Sequence, residues 1–432
     1  MIQFENECRG KTRSAYIPNF DFAKYAGDFI NMGINTLFLL DAGLSNTQAF
    51  AANAFFTVGQ LLFEVPTGVV ADSRGRRTSF LLGALTLGLS TAGYLYMWEI
   101  QGPFWGWALS SVVLGLGFTF FSGAVEAWLV DALHYSKFKG NLDNVFAKGQ
   151  VVSGIAMLSG SIAGGVIAQA SNLGVPYIVR AAILGLSFVV AFLVMRDIGF
   201  TPNKSKQPIR EARKILNASI EHGFKNRKVR WIMLSSPFMM GISFYVFYAM
   251  QPYLLNLYGN PEAYSVAGLV AAIVAGAQIL GGTIVPKIIK IFDKRTTVLL
   301  GGFAISALVL FIFGFIDSFP IAIGLIVIWA MVFATSMPIR QAYINGVIPS
   351  RQRATVLSFD SMIGSGGGVV FQPALGKVAD VYSYSASYMV GGLISAIAVP
   401  FVYLARKENS ESDPIKKSAD DHDKEIMDEF KK

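Results

Sequence analysis

The sequence predicts an all-α polytopic membrane protein with twelve transmembrane helices in two six-helix halves. Three observations carry that prediction. Hydrophobic residues make up 53% of the 432 and charged residues only 15%, with a mean hydropathy of +0.49, whereas soluble domains carry about 25% charged residues. About twelve apolar stretches of about 20 to 25 residues follow one another, each long enough to cross a hydrocarbon core as a helix. They show none of the period-two alternation of a membrane barrel. Finally, Lys and Arg gather in alternate loops.

The expected spans of the first half are 19–40, 46–70, 78–98, 103–130, 146–170 and 175–196, and those of the second are 229–255, 264–291, 296–316, 320–346, 355–379 and 384–405. Placing both termini on one side puts Arg9, Lys11, Arg13, Arg74, Arg76, Arg77, Lys137, Lys139, Lys294, Arg295, Arg351, Arg353, Arg406 and Lys407 there. The loops at the opposite end (41–45, 99–102, 171–174, 256–263, 317–319 and 380–383) hold no Lys or Arg. The positive-inside rule then makes both termini cytoplasmic, in a multi-pass protein of the cell membrane. Below, the two sides are called the basic end and the acidic end.

Around the spans the organisation is simple. Residues 1–18 are a polar cytoplasmic segment without the apolar stretch of a removable signal peptide. The halves, 19–196 and 229–405, are joined by a basic cytoplasmic linker, 197–228, in which Ile209 to Phe224 reads equally as an amphipathic surface helix or as a solvated connection. Residues 406–432 mix charges of both signs with little apolar content and read as a disordered cytoplasmic tail. The single cysteine, Cys8, excludes an internal disulfide, and the three histidines (His134, His222, His422) lie outside the spans, so neither a metal site nor a cofactor is expected. A net charge of +8 confined to one side of a bilayer points to the membrane, not to nucleic acid.

Polar residues inside the spans carry the functional reading. In the first span Asp21, Lys24, Asp28, Asn31 and Asn35 follow spacings of 3, 4, 3 and 4, which confines them to an arc of about 80°. Ionised groups are costly against lipid, so this stripe should face protein or water. Asp28 lies some 13 Å inside the span at about 1.5 Å per residue and is the first candidate for proton or cation binding, the alternative being an ion pair with Lys24. The second span repeats the pattern with Asn53, Thr57, Gln60 and Glu64, which suits helix packing and cavity lining equally. Ser111, Gly115, Thr119, Ser122 and Glu126 in the fourth are as consistent with a packing groove as with a cavity wall. Glu126 reads as a salt-bridge partner or as a coupling residue.

The second half is aromatic instead. Phe238, Gly241, Tyr245, Tyr248 and Pro252 share one face of the seventh span, and Trp329, Phe333, Ser336, Arg340 and Tyr343 one face of the tenth. Such stripes mean core packing or the apolar wall of a cavity for an amphipathic substrate. Asp360, a turn inside the eleventh span, can pair at the inner gate or take part in coupling. Arg180, a turn inside the sixth, has no clear assignment, and snorkelling to the outer surface is open to it.

Between the second and third spans runs Gly68-Val-Val-Ala-Asp72-Ser73-Arg74-Gly75-Arg76-Arg77. A glycine permits close helix approach, Gly75 suits a tight turn, and an Asp followed by arginines can bridge helix ends. At this place the motif resembles the signature of the major facilitator superfamily. Phe63-Glu-Val-Pro-Thr-Gly68, Ser122-Gly-Ala-Val-Glu126-Ala-Trp-Leu-Val-Asp131, Gln251-Pro-Tyr-Leu254 and Arg353-Ala-Thr-Val-Leu-Ser358 are similar to its drug-efflux branches. Ser73 stands where the family prefers a basic residue, Ser111 where proton-driven antiporters often have Arg, and Ser161 where they have Pro.

The resemblance implies two pseudo-symmetric bundles with helices one, four, seven and ten lining a central cavity. It also implies that Gly68, Asp72, Arg74, Gly75, Arg76 and Arg77 switch conformation, with Asp131 or Glu126 as partner. The resulting expectation is a secondary active transporter, not an enzyme, exporting an amphipathic or drug-like compound in exchange for protons or another coupling ion. Asp28, Glu126 and Asp360 are the coupling candidates. Asp28, Asn31, Asn35, Gln60, Tyr245, Tyr248, Trp329 and Phe333 are the substrate candidates. A proton-coupled nutrient symporter and a non-transporting receptor of the same fold are the competing readings, and the expected assembly is a monomer in the lipid bilayer.

Overall fold

The computed structural model describes residues 29–121, 124–135, 138, 142–202, 220–348 and 353–415. Among them the chain is helical, apart from turns and one isolated bridge between Lys294 and Pro414. The first half comprises α1 (Asn35–Asp41), α2 (Asn46–Arg74), α3 (Arg76–Glu99), α4 (Phe104–Phe121), α5 (Ala124–Tyr135), α6 (Leu142–Ala170) and α7 (Val175–Val194). After a wide turn at Ile220–Phe224, the second comprises α8 (Arg227–Tyr258), α9 (Tyr264–Ile291), α10 (Arg295–Phe313), α11 (Phe319–Asn345), α12 (Arg353–Val381), α13 (Tyr384–Ala396) and α14 (Ala398–Lys407).

Ten helices among the described residues are long and apolar enough to cross a membrane, with α4 and α5 forming one such unit and α13 and α14 another. The helix α12 is as long as these but carries Asp360, Lys377 and the run Gly364-Ser-Gly-Gly-Gly368. It stands at the place of the eleventh expected stretch, and of the first only residues 29–40 are described.

Local chemistry sets the helix ends. Ser45 and Gln48 form a reciprocal capping box at the start of α2. Asn226 caps α8, Gly259 ends it in the left-handed conformation, and Ser383 caps α13. Pro66, Pro237, Pro252, Pro286, Pro338 and Pro373 all lie inside long helices, where neighbouring helices tolerate them.

Two expectations are corrected here. The first span is not one helix to residue 40: Ile30 to Ile34 form turns closed by Met32 N–H to Phe29 O (3.0 Å) and Ile34 N–H to Asn31 O (3.1 Å), and helix resumes at Asn35. The tail is not free from residue 406 onward, because Arg406 and Lys407 end α14 and the chain to Ile415 packs on the second half. Asp413 accepts hydrogen bonds from Thr296 N–H (2.8 Å) and Thr296 Oγ1 (2.9 Å), satisfying the orphan donors that begin α10. The tail beyond 415, the N-terminal segment and most of the linker, including residues 209–219 of its expected helix, lie outside the described residues.

Four apolar cores stack in two tiers. At the basic end, one core around Phe80, Phe121 and Leu184 belongs to the first half, and another around Ile232, Phe303 and Tyr343 to the second. At the acidic end both cores cross the seam. Phe50 enters the core of the second half beside Tyr245, and Leu255, Ala263 and Ala267 enter the core of the first beside Phe38 and Tyr177. Across the seam α2 packs on α12 and α6 on α9. Glycines allow the approach: a Cβ on Gly376 would lie 2.8 Å from the Phe50 ring, and one on Gly268 only 2.5 Å from Ser161 O.

Candidate functional site

The site is built around the break in the first span. Its backbone lies against α6, where a Cβ on Gly164 would sit 1.7 Å from Ile30 O. Asn31, at the break, is 4% exposed, and neither atom of its carboxamide has a hydrogen-bond partner among the described residues. Asn35, one turn on and half-buried, donates to Asn53 Oδ1 (2.9 Å) and accepts from the Tyr177 hydroxyl (3.1 Å), which leaves one amide hydrogen and one oxygen lone pair for a further contact. The stripes of spans one and two therefore meet each other and span six.

Tyr177 stacks on Phe38 at 3.9 Å and on Tyr94 at 6.1 Å, and the Tyr94 and Ser111 hydroxyls are 2.7 Å apart. Arg180 lies one turn further along α7. It does not snorkel: only 5% of it is exposed, and its guanidinium sits 6.0 Å from the Phe118 ring centroid. Sequence reasoning missed Tyr94 and Tyr177, although Ser90 and Thr91 one turn before the first and Arg180 one turn after the second share their faces and were the signal available.

From the second half, Tyr245 is fully buried with its hydroxyl 2.5 Å from Ser387 Oγ, and Trp329, 3% exposed, stacks on Phe333 at 5.6 Å. Tyr248 and Phe333 are half-buried, as is Gln60 across the seam. Other members of the same stripes pack helices. A Cβ on Gly241 would lie 2.5 Å from Gly367 C in α12, and Phe238 stacks on Phe401 at 5.8 Å.

The fourth-span stripe is a packing groove along its described length. A Cβ on Gly115 would approach Phe56 O to 2.4 Å, and Thr119 O accepts from Thr67 Oγ1 at 3.1 Å. Glu126 is exposed in the first turn of α5. Asp28 and Ser122 lie outside the described residues, as do Asp21 and Lys24. Asp360 is held by Arg340 through two 2.5 Å bonds and accepts from Ser236 Oγ at 2.8 Å, joining α8, α11 and α12 in the core of the second half.

Hydrogen bonds across the seam gather at the acidic end. Asp380, in the last turn of α12, accepts from Asn46 N–H (2.9 Å), Thr47 N–H (2.8 Å) and Thr47 Oγ1 (2.5 Å) at the start of α2. Tyr384 donates to Asn46 Oδ1 beside it. Partial burial alone would push the Asp380 carboxyl up, but these hydrogen bonds outweigh it and hold it below the usual carboxylate range. Gln251 reaches from α8 to the broken segment, donating to Met32 O (2.8 Å) and accepting from Thr36 N–H (3.0 Å).

The sequence profile of the Major Facilitator Superfamily matches residues 22–371 and 263–428. The chain belongs to that superfamily. No curated protein is recognisably similar in sequence. Among solved structures it resembles a point mutant of the nucleoside transporter NupG with a TM-score of 0.76 at 11% identity, over 90% of this chain and 99% of that one. It also resembles a bacterial homolog of the human lysosomal transporter Spinster (0.69, 12%, 92% and 97%) and a POT family transporter bound to a thioalcohol-conjugated peptide (0.68, 14%, 93% and 97%). At such identities the likeness concerns the fold.

The superfamily signature after the second span has its own geometry. Arg76 bonds Asp72 at 2.8 Å and approaches Asp131 at 3.7 Å. Gly75 has φ +105°, and a Cβ there would meet Asp197 Oδ2 at 2.2 Å, so this position needs glycine twice over. Asp197 accepts from Arg77 N–H at 2.8 Å, while the Arg77 guanidinium donates to Phe192 O. Arg74 is exposed. A Cβ on Gly68 would meet nothing within 4 Å, so close packing is not what this glycine provides in the present conformation.

Proposed function

We propose that the protein is a secondary active transporter that exports a small amphipathic or drug-like solute by alternating access, driven by protons. The observation that carries this reading is the unequal seam: among the described residues the apolar cores join across it at the acidic end and stay within their own halves at the basic end. Two rigid halves with a packed contact at one end are the arrangement that rocking about a midplane site requires. With the basic end cytoplasmic, the present conformation opens inward.

In this reading Asn31, Asn35 and Gln60 supply polar contacts. Tyr248 and Phe333 form the aromatic wall, with Tyr245 and Trp329 supporting it from behind. Asp28 is the titrating group. Asp360 serves the fold of the second half, because both its oxygens already face Arg340, and a group so engaged responds weakly to substrate. The transporter works as a monomer in the cell membrane.

The test is proton movement in proteoliposomes under an imposed pH gradient, read with a lumenal dye while lipophilic cations, sugars, nucleosides, amino acids and short peptides are added. The expected result is dissipation of the gradient by an amphipathic class, lost in Asp28→Asn. Dissipation by a sugar, nucleoside, amino acid or peptide alone would replace export with nutrient symport. Binding without any flux would replace transport with reception.

A further inference from the structure

The break in the first span has a cause, and the cause lies in the other half. In an uninterrupted helix Thr36 N–H would bond Met32 O. Here both groups bond the Gln251 carboxamide instead, at 3.0 and 2.8 Å. A side chain inserted in the helical ladder is a recognised origin of kinks. Gln251 is 1% exposed, so the exchange happens away from water, where an unmet backbone group is costly.

We infer that Gln251 is a positioning residue that exchanges hydrogen bonds with the first span, breaking its helix when the acidic end closes and releasing it when the halves part. Withdrawal of Gln251 frees Met32 O and Thr36 N–H, the i and i+4 groups that pair in an α-helix, and their pairing rebuilds the helix through Ile30–Ile34. A continuous helix sets Asn31 directly below Asn35, at i and i+4 on one face. In the broken form Asn31 is instead buried, with no hydrogen-bond partner for its carboxamide among the described residues, a costly state for a polar group.

Gln251 thus hides Asn31 on closure and presents it beside Asn35 on opening, tying the gate to the polar face proposed to meet substrate. The inference takes its meaning from the alternating-access reading. Its test reads conformation without substrate, so its failure is separable from a failure of that reading.

The experiment uses the full chain with Cys8→Ser. Spin labels at Ser171→Cys and Asn256→Cys, both exposed at the acidic end on opposite halves, report the separation of the halves by pulsed electron resonance. Hydrogen exchange over residues 29–38 reports the helix. In Gln251→Leu the expected result is a second population at longer distance, with the Thr36 amide exchanging no faster than in the native protein because its new partner is Met32 O. Gln251→Asn, too short by one methylene to span both groups, is expected to behave alike and stands in if the Leu variant does not fold. An unchanged distance distribution would overturn the inference. So would a longer distance with at least tenfold faster exchange at Thr36, since the segment would then be merely frayed.

Discussion

Arg340 and Asp360 face each other in parallel, each terminal guanidinium nitrogen 2.5 Å from a carboxylate oxygen, with both residues less than 5% exposed. Ser236 bonds the same carboxylate, so three helices meet at one charge pair. Removing one partner leaves an uncompensated buried charge, which costs about 3 to 5 kcal/mol. Arg340→Met and Asp360→Leu are each expected to lower the melting temperature of the purified protein sharply. The double variant is expected to recover most of the loss. A double variant as unstable as the sum of the two would show that each acts through other contacts.

The α2–α4 groove makes a second prediction. Gly59 and Gly115 face each other's helix, with a Cβ on Gly59 falling 2.5 Å from Val112 O and one on Gly115 falling 2.4 Å from Phe56 O. Backbone is the obstacle, so the helices must separate to admit a side chain. Gly115→Val is expected to destabilise by more than the roughly 1 to 3 kcal/mol typical of extra methylene groups in a packed core, whereas Gly88→Val, at a position with nothing within 4 Å, should be neutral. Equal melting temperatures for the two would refute the packing role.

A pH prediction follows from Asp380. Its carboxyl is held below the usual range, so its contribution is present above the ordinary value of about 3.9 and lost only as pH falls through the lower value of the folded state. The contact between Asp380 and Thr47 should therefore not respond between pH 5 and 8. Spin-label distances across the acidic end are expected to be constant over that range in Asp28→Asn. A pH-dependent opening that survives in Asp28→Asn would point to another titrating group.

The Arg76 cluster should be weak in energy. Its side chains are 18% to 31% exposed, and solvent screening limits such pairs to about 1 kcal/mol or less. A double-mutant cycle between Arg76→Gln and Asp131→Asn is expected to show a stability coupling of that size. Gly75→Ala should cost more, because it combines a left-handed backbone with a collision against Asp197. Thermal melts of the native protein and the four variants decide the order.

What the sequence made legible was whatever is local. The helical membrane fold, the order of the apolar stretches that the described helices follow and the approach of Arg76 to Asp131 all depend on spacing or on neighbouring positions. A stripe tells which residues share a face and not what the face meets. The same 3-4 spacing gave a hydrogen-bonded cluster at Asn35 and Asn53 but a backbone-to-backbone groove at Gly115. The break at Ile30–Ile34 has no proline to announce it, because the side chain that holds it open comes from Gln251, more than two hundred positions away. Arg180 shows the same limit: distance from a helix end says that snorkelling is possible, while the side of the helix it occupies forbids it. The tail misled hydropathy altogether, since Asp413 attaches by polar bonds that an apolar scale does not count.

That attachment has a practical side. Arg295 donates to Ser412 O and Pro414 O while Asp413 caps Thr296, so the stretch after α14 returns to the beginning of α10 and stitches the second half into a closed circuit. A fluorescent reporter joined after Lys432 leaves the circuit whole. The same reporter joined directly after Lys407 opens it, exposing bare amide groups at the base of α10, and fusion placement alone would then separate well-behaved preparations from aggregating ones.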